Sequence, residues 1–427
     1  MALGPMDGPF SNDHLDTLVT VLDLLRTGAA RTRPELGRIS GLGRAVVTQR
    51  IGELLESGLV VDGALAPSTG GRAPRELRFR ADAGHVLVAA LGATSVGVGV
   101  ADLAGGLLTH RVEPGDISLG PETVLAHVED LFDQLLAGRP DDAPPVWGVG
   151  IGVPGPVEFS TGRTVSPPIM PGWDGYPVRG RLSARYGAPT WVDNDVNLMA
   201  LGELYGGLAR GERDVVYVKV GSGIGAGLIS AGRLHRGAQG SAGDVGHVEV
   251  IEDSSVVCRC GNTGCLEAVA GGVALARQAT AAAADGSSRF LAERAQHGRG
   301  LNAEDVAEAA QHGDPLAVEM LSRAGRRIGG TLATVVNLYN PSLIVVGGGV
   351  VNAGDLFFAA IRNATFSRSL PLATRDLRIV RSPDGDEAGL RGAAFVVLDE
   401  LFSRNLLPRW IHAGSPAGQP WLPAVAA

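Results

Sequence analysis

Two glycine-punctuated apolar stretches constrain the fold more than any other feature of the chain: VLVAALGATSVGVGVADLAGGLL at residues 86–108 and VVYVKVGSGIGAGLISAGRLHR at residues 215–236. Each reads as two strands folded back across a glycine turn, because short apolar runs bounded by Gly and Ser favour hairpins. Their repetition implies a duplicated unit. Further apolar strands, VWGVGIGVPGPV, PTWVDNDVN and SLIVVGGGVV, alternate with helical stretches such as PETVLAHVEDLFDQLLAG and PLAVEMLSRAGRRIGGTLATVVNLYN. This alternation predicts an α/β architecture with mixed sheets. The 427 residues exceed what one hydrophobic core usually holds, about 250, so two or three domains are expected.

Apolar residues make up 45% and charged residues 19% of the chain, the balance of a globular protein. The formal net charge of −8 excludes a chain that coats nucleic acid by bulk electrostatics. The acidity is uneven: residues 1–80 hold ten Arg and no Lys against nine Asp plus Glu, a net of +1, which leaves −9 for the remainder. The most apolar window, HVLVAALGATSVGVGVADL, is interrupted by Gly, Ser and Thr and falls short of the roughly 20 clean residues of a membrane span. It is expected to form two adjacent strands, with no membrane partner. The opening residues MALGPMDGPFSNDH carry neither a basic leader nor an apolar stretch, so a cytoplasmic location is expected.

The N-terminal segment has its own pattern. HLDTLVTVLDLLRTG sets Leu15, Leu18, Val19, Leu22 and Leu25 at helical spacing, with Gly28 as the stop. RTRPELGRISGLGRAVVTQRIGELLESGLVV predicts a short helix from about Pro34, a turn at SGLG, and a helix from about Arg44 to Ser57, the outline of a helix-turn-helix. On the later helix Val47, Ile51, Leu54 and Leu55 share one face, leaving Ala45, Thr48, Gln49 and Gly52 exposed. Thr48 and Gln49 are placed to read base edges, and Arg44 and Arg50 to reach bases or phosphates. An ordinary helical hairpin with a solvated face would use the same helices. The following LVVDGALAPSTGGRAPRELRF favours DNA binding, because it predicts two strands around a loop carrying Arg72 and Arg75, a wing beside the minor groove.

In the body, VGSGIGAG suits either a simple hairpin turn or a phosphate-cradling loop. VDNDVN puts Asn194 and Asp195 at the end of an apolar strand, where α/β sheets hold ligand-binding groups; a helix N-cap before VNLMALGELYGG is the equal alternative. All three cysteines fall within VVCRCGNTGCLEAV, residues 256–269. Cys258, Cys260 and Cys265, with His247 eleven residues earlier, form the three-Cys, one-His set of a closed tetrahedral zinc site. Four protein ligands leave no place for a catalytic water, so the Zn2+ is expected to be structural. Free buried thiols or a redox pair are the alternatives; the tight spacing with Gly261 and Gly264 favours metal.

These motifs together resemble the ROK family, which joins repressors, open reading frames and sugar kinases. The resemblance covers residues 15 to about 404 and rests on GVGIGVPGPV, PGWDG, VDNDVN, VGSGIGAG, GSAGDVGHVEV, CRCGNTGCLEAVAG, NPSLIVVGGGV and GDEAGLRGAA in order. The winged segment is similar to that of the repressor branch. It implies an actin-like (ribonuclease H-like), two-lobed body with a sugar in the cleft, in which kinases use ATP with an Asn-Asp aspartate as base. Asn194, Asp195, Asp244, His247 and Glu267 then face sugar hydroxyls, His247 binding zinc through its other nitrogen.

Three departures select the branch. The Asp-x-Gly-Gly-Thr phosphate motif of the kinases reads ALGAT, with Ala90 and Ala93 at the Asp and second Gly positions, so no kinase activity is expected and Asp195 is a vestigial base. Ile169 replaces the usual Asn before PGW, and Asp244 the usual Glu, which alters the hydroxyl contacts. The reading is thus a sugar-responsive DNA-binding regulator, most simply a repressor, with a ROK-type sugar kinase as the alternative. Its expected partners are operator DNA, a sugar or sugar-phosphate effector, and copies of itself in a homodimer or homotetramer. The expected organisation is a disordered 1–13, a winged helix-turn-helix at 14–80, a first lobe at 81–198 completed by 386–404, a second lobe at 199–385, and a poorly ordered tail at 405–427.

Overall fold

A computed structural model describes residues 12–419 except 66–74, 141, 253–254, 297, 299 and 384. The N-terminal head consists of α1 (Asn12–Arg26), α2 (Arg33–Ser40) and α3 (Arg44–Glu56), followed by the antiparallel pair β1 (Val60–Leu65) and β2 (Arg75–Phe79). Local chemistry sets these bounds. Thr32 caps α2, accepting from the Glu35 N–H while the Glu35 carboxylate accepts from the Thr32 N–H, and Gly41 ends the helix at φ +72°. Leu18, Leu22, Leu36, Ile51 and Leu54 are fully buried where the three helices meet.

The body repeats one plan twice. In the first lobe β3 (His85–Leu91), β4 (Ser95–Asp102) and β5 (Leu107–Pro114) form an antiparallel meander, and α4 (Pro121–Ala137) crosses to β6 (Val146–Val153), which runs parallel to β3. The small ladder of β7 (Val157–Glu158) and β8 (Arg163–Thr164), then α5 (Val178–Tyr186), lead to β9 (Thr190–Asn194), parallel to β6. The sheet order is β5-β4-β3-β6-β9. After α6 (Asp195–Gly206), the second lobe has β10 (Val215–Val220), β11 (Ile224–Ser230), β12 (Arg233–Leu234), β13 (Leu343–Gly347) and β14 (Arg378–Arg381), in the order β12-β11-β10-β13-β14. Both glycine-rich stretches are therefore the founding hairpins of their sheets, and the fold is the actin-like, two-lobed body preceded by a helical head.

The lobes join through α6 and the helix Gly385–Leu401. A methyl group at Gly392 would lie 1.7 Å from the Leu198 carbonyl oxygen, and one at Gly202 would lie 1.9 Å from that of Ala388. The two backbones thus touch directly, which only glycine permits.

The poorly ordered tail expected at 405–427 is corrected over residues 405–419, and 420–427 lie outside the described residues. Residues 407–413 form two short helical turns, and Leu407, Trp410 and Ile411 are buried in one core with head residues such as Leu22 and Phe79. The Trp410 indole N–H donates to the Leu401 carbonyl at 3.0 Å and its ring sits 5.3 Å from that of Trp147. The prolines concealed apolar spacing that cements head to body. No helix among the described residues is long and apolar enough to cross a membrane.

Candidate functional site

A cavity of about 870 Å³ separates the lobes. The first lobe contributes the β3–β4 turn with Ala90 and Ala93, Gly155, Ile169 and the Asn194-Asp195 pair; the second contributes Lys219, the β10–β11 turn, Asp244, His247 and Glu267. All five ligand residues expected from the sequence therefore line one cleft. VGSGIGAG forms the β10–β11 turn, the Gly221 N–H donating to the Gly223 carbonyl, and also faces the cleft.

Asn194 has both of its expected positions. Its Oδ1 accepts from the N–H groups of Val196 and Asn197, capping α6, while Nδ2 donates to the Gly155 carbonyl at 3.0 Å. Asp195, the first residue of α6, is 5% exposed, and its Oδ2 accepts from the Lys219 ammonium at 2.5 Å. Asp193, one residue before the pair, accepts from the Asn194 N–H, from Asn197 Nδ2 and from Arg236 Nε. Arg236 belongs to the second lobe and its guanidinium lies 3.8 Å from the centre of the Phe159 ring, so it fastens the lobes beside the cleft.

The loop carrying Asp244 and His247 is pressed onto β11. Gly243 has φ +100°, and a methyl group there would meet the Ala226 carbonyl oxygen at 1.9 Å. Glu267 Oε2 accepts from the Ile224 N–H at 3.0 Å, tying the short helix Leu266–Ala270 to the same strand. His247 turns Nε2 towards Asp244 Oδ1, 3.7 Å away, and Nδ1 towards Cys258 Sγ, 3.6 Å away.

His247, Cys258, Cys260 and Cys265 hold their ligand atoms within 4.8 Å of one another. Cys260 Sγ and Cys265 Sγ are 3.8 Å apart. A tetrahedral ion with metal–sulfur bonds of about 2.3 Å and metal–nitrogen bonds of about 2.0–2.1 Å needs edges of about 3.8 Å and 3.6 Å, so the set fits a closed metal site. Burial raises the Cys258 thiol and pushes that of Cys265 up to about 12, whereas hydrogen bonds from the Asn262 N–H and the neighbouring thiols lower Cys260. Holding all three there as thiolates would call for a cation.

On the head, Arg44, Thr48 and Gln49 are exposed along α3. Arg75 is exposed on β2, 3.9 Å from the Asp62 carboxylate, and Arg72 lies outside the described residues. Arg50 is a correction: it is 6% exposed, with Nε on Thr17 Oγ1 at 2.9 Å and a terminal nitrogen on Glu53 Oε1 at 2.5 Å. It binds α3 to α1 and is turned away from the exposed face of α3. Helical spacing placed it beside the free face, and the polar partners on α1 draw it inward.

Sequence reasoning passed over Lys219, although it is the only lysine in the 427 residues. It also passed over a junction beneath the head. There Arg26 of α1, with its side chain buried, contacts Asp399 Oδ1 at 3.2 Å, and the Tyr205 hydroxyl of α6 donates to Asp399 Oδ2 at 2.8 Å. Partners more than 190 residues apart leave no local signal.

Two lobes of one topology closing on a polar cleft, with an aspartate opening the helix at its floor, define a sugar-kinase-type body. The chain belongs to the ROK family, whose model matches residues 88–400. It is 29% identical over 399 residues to the xylose repressor of Caldicellulosiruptor bescii, covering 92% of this chain and 96% of that protein. It is 31% identical over 308 residues to a glucokinase of Halalkalibacterium halodurans, covering 72% and 93%. The crystal structure of a ROK family transcriptional regulator, a homologue of the E. coli Mlc protein, superposes with TM-score 0.78 at 26% identity, covering 94% of this chain and 100% of that one.

Proposed function

We propose that the chain is a sugar-responsive, DNA-binding transcriptional repressor of carbohydrate-related genes, without kinase activity. The carrying observation is one of extent: the 399 residues aligned with a xylose repressor cannot be housed in the body alone and must include the head, whereas the glucokinase match spans 72% of the chain. The head supplies what a repressor needs, small and polar residues free on α3 beside a two-stranded wing. Arg44, Thr48, Gln49, Arg75 and Arg72, the last outside the described residues, are the residues assigned to DNA.

In the cleft, Asn194, Asp195, Asp244, His247 and Glu267 are the sugar ligands. The metal is zinc, held by His247 Nδ1 and the three thiolates; when bound it fixes the loop and orients the imidazole, so that Nε2 faces the sugar. With Ala90 where a kinase of this family has an aspartate, nothing at that position holds the nucleotide end of a phosphoryl transfer. A homo-oligomer presents two α3 helices to a pseudo-palindromic operator, and closure of the lobes on sugar changes their spacing. The path is short: α6 runs about 15 Å from Asp195 in the cleft to Tyr205, which meets the head through Asp399 and Arg26. Ligand and operator then oppose one another reciprocally. Equilibrium binding at physiological salt tests this: sequence-selected DNA should bind at least about a thousandfold tighter than random duplex, and equal affinity contradicts it.

A further inference from the structure

We propose that Lys219 is a specificity-determining residue of the cleft: together with Asp195 it presents a paired donor and acceptor to one hydroxyl of an uncharged polyol ligand. The inference rests on the reading of the cleft as a sugar site and names what that site accepts.

The first observation is one of residue choice. Of 37 cationic Lys and Arg positions, 36 are arginine, and the single lysine stands in the cleft. A chain that uses arginine everywhere else keeps lysine where the guanidinium fork is unsuitable. The surroundings give the reason. Lys219 lies on β10 opposite Gly225 of β11 and Gly347 of β13, and a methyl group on Gly221 would lie 3.4 Å from its Cε. In these surroundings a compact ammonium on a flexible stem meets Asp195, where arginine would present a planar five-donor fork.

The second observation is the partner. Asp195 is buried, and its Oδ2 meets the ammonium at 2.5 Å. With Oδ2 held by the ammonium, Oδ1 of the same carboxylate is left to accept from a ligand hydroxyl. The ammonium has three N–H donors, and one to Asp195 leaves two for the cleft that both side chains line. A hydroxyl both donates and accepts, so it satisfies the pair. A phosphate or carboxylate only accepts.

Charge decides between these ligands. Among the described residues lining the cleft, Asp195, Asp244, Glu267, Glu304 and Glu387 are acidic, and Lys219 is the one lysine or arginine. Its charge is already balanced by Asp195. Glu387 is paired with Arg391, so a phosphate ester would enter against Asp244, Glu267 and Glu304 with no free lysine or arginine to meet it. The cleft therefore takes the unphosphorylated sugar and rejects its phosphate ester.

The lone lysine also supplies the probe. Full-length, zinc-loaded protein made with [ε-13C]lysine gives one lysine side-chain NMR signal, to be followed during titration with uncharged mono- and disaccharides and with their phosphate esters. At least one uncharged sugar should shift that signal saturably, and its ester should not. Lys219→Met, Lys219→Arg and Asp195→Asn, assayed by calorimetry, should each weaken that sugar about tenfold or more. The double variant Asp195→Asn/Lys219→Met should lose no more than the weaker single variant, because the two groups act as one unit. It also removes both charges together, so it stays readable if a single variant leaves a buried charge and fails to fold; zinc content checks each fold. A sugar that binds without moving the signal, wild-type affinity in Lys219→Arg, additive losses, or a phosphate ester that binds more tightly than its sugar overturns the proposal alone. If no sugar binds the wild-type protein, both this proposal and the sugar-site reading are overturned.

Discussion

The hairpin β3–β4 of the first lobe and the hairpin β10–β11 of the second occupy equivalent places in sheets of equivalent order, yet they face the cleft with different chemistry. The first offers Ala90, Ala93 and glycine beside Ile169; the second offers Lys219 and is backed by Glu267, Asp244 and the cluster of His247 with the three cysteines. The head shares one core with Trp147 of the first lobe and with Phe402 and Trp410, and Leu234 of the second lobe packs against its edge. Three of the five candidate ligands, Asp244, His247 and Glu267, thus come from one copy of the repeat and Asn194 and Asp195 from the other, with α6 and the helix Gly385–Leu401 between the two lobes.

The largest expected effect comes from dismantling the second lobe's brace. Cys258→Ser or Cys260→Ser should reduce bound zinc from one per chain to near zero, lower the Tm and abolish any sugar response, because structural zinc binding is coupled to folding. Metal analysis of freshly purified protein, followed by thermal unfolding, checks this. Full metal retention in both variants would break the comparison at its strongest point.

Substitutions on the head should have the opposite signature. Gln49→Ala is expected to cost about 1–3 kcal/mol of operator binding and to relax specificity at one base pair, with sugar affinity unchanged. Arg44→Ala should weaken all sequences alike and reduce the salt dependence of binding. Binding isotherms at two salt concentrations separate these outcomes.

The connection between the regions is sharpened by Arg26→Ala. Removing the guanidinium leaves Asp399 with Tyr205 alone, at a cost of about 1–2 kcal/mol in stability, reduced because Asp399 is partly exposed. Sugar and operator should both still bind, but the factor by which each weakens the other should fall. Smallest is the effect expected at Ile169. Ile169→Asn places an amide in the cleft wall and should change the ranking of bound sugars a few-fold, read by calorimetry over the same panel.

Much of this was legible in residue pattern. The head helices obey apolar spacing, and both hairpins carry glycine turns, so local rules sufficed. His247 and the cysteines lie close enough in sequence to be read as one donor set. What escaped depended on distant packing. Arg50 is turned inward by Thr17 of α1, Trp410 is buried by a core assembled from both chain ends, and Asp399 meets Arg26 across most of the sequence. Lys219 was visible as the only lysine, but a lone cation in a strand reads as a solvated position until Asp195 is seen beside it.

The most direct measurement is a selection of genomic fragments bound by the purified, zinc-loaded protein, repeated with a panel of uncharged sugars and their phosphate esters. A single pseudo-palindromic motif should be recovered and then lost in the presence of one uncharged sugar. Enrichment of no motif, or a motif whose recovery no sugar alters, would contradict the account of a sugar-responsive repressor.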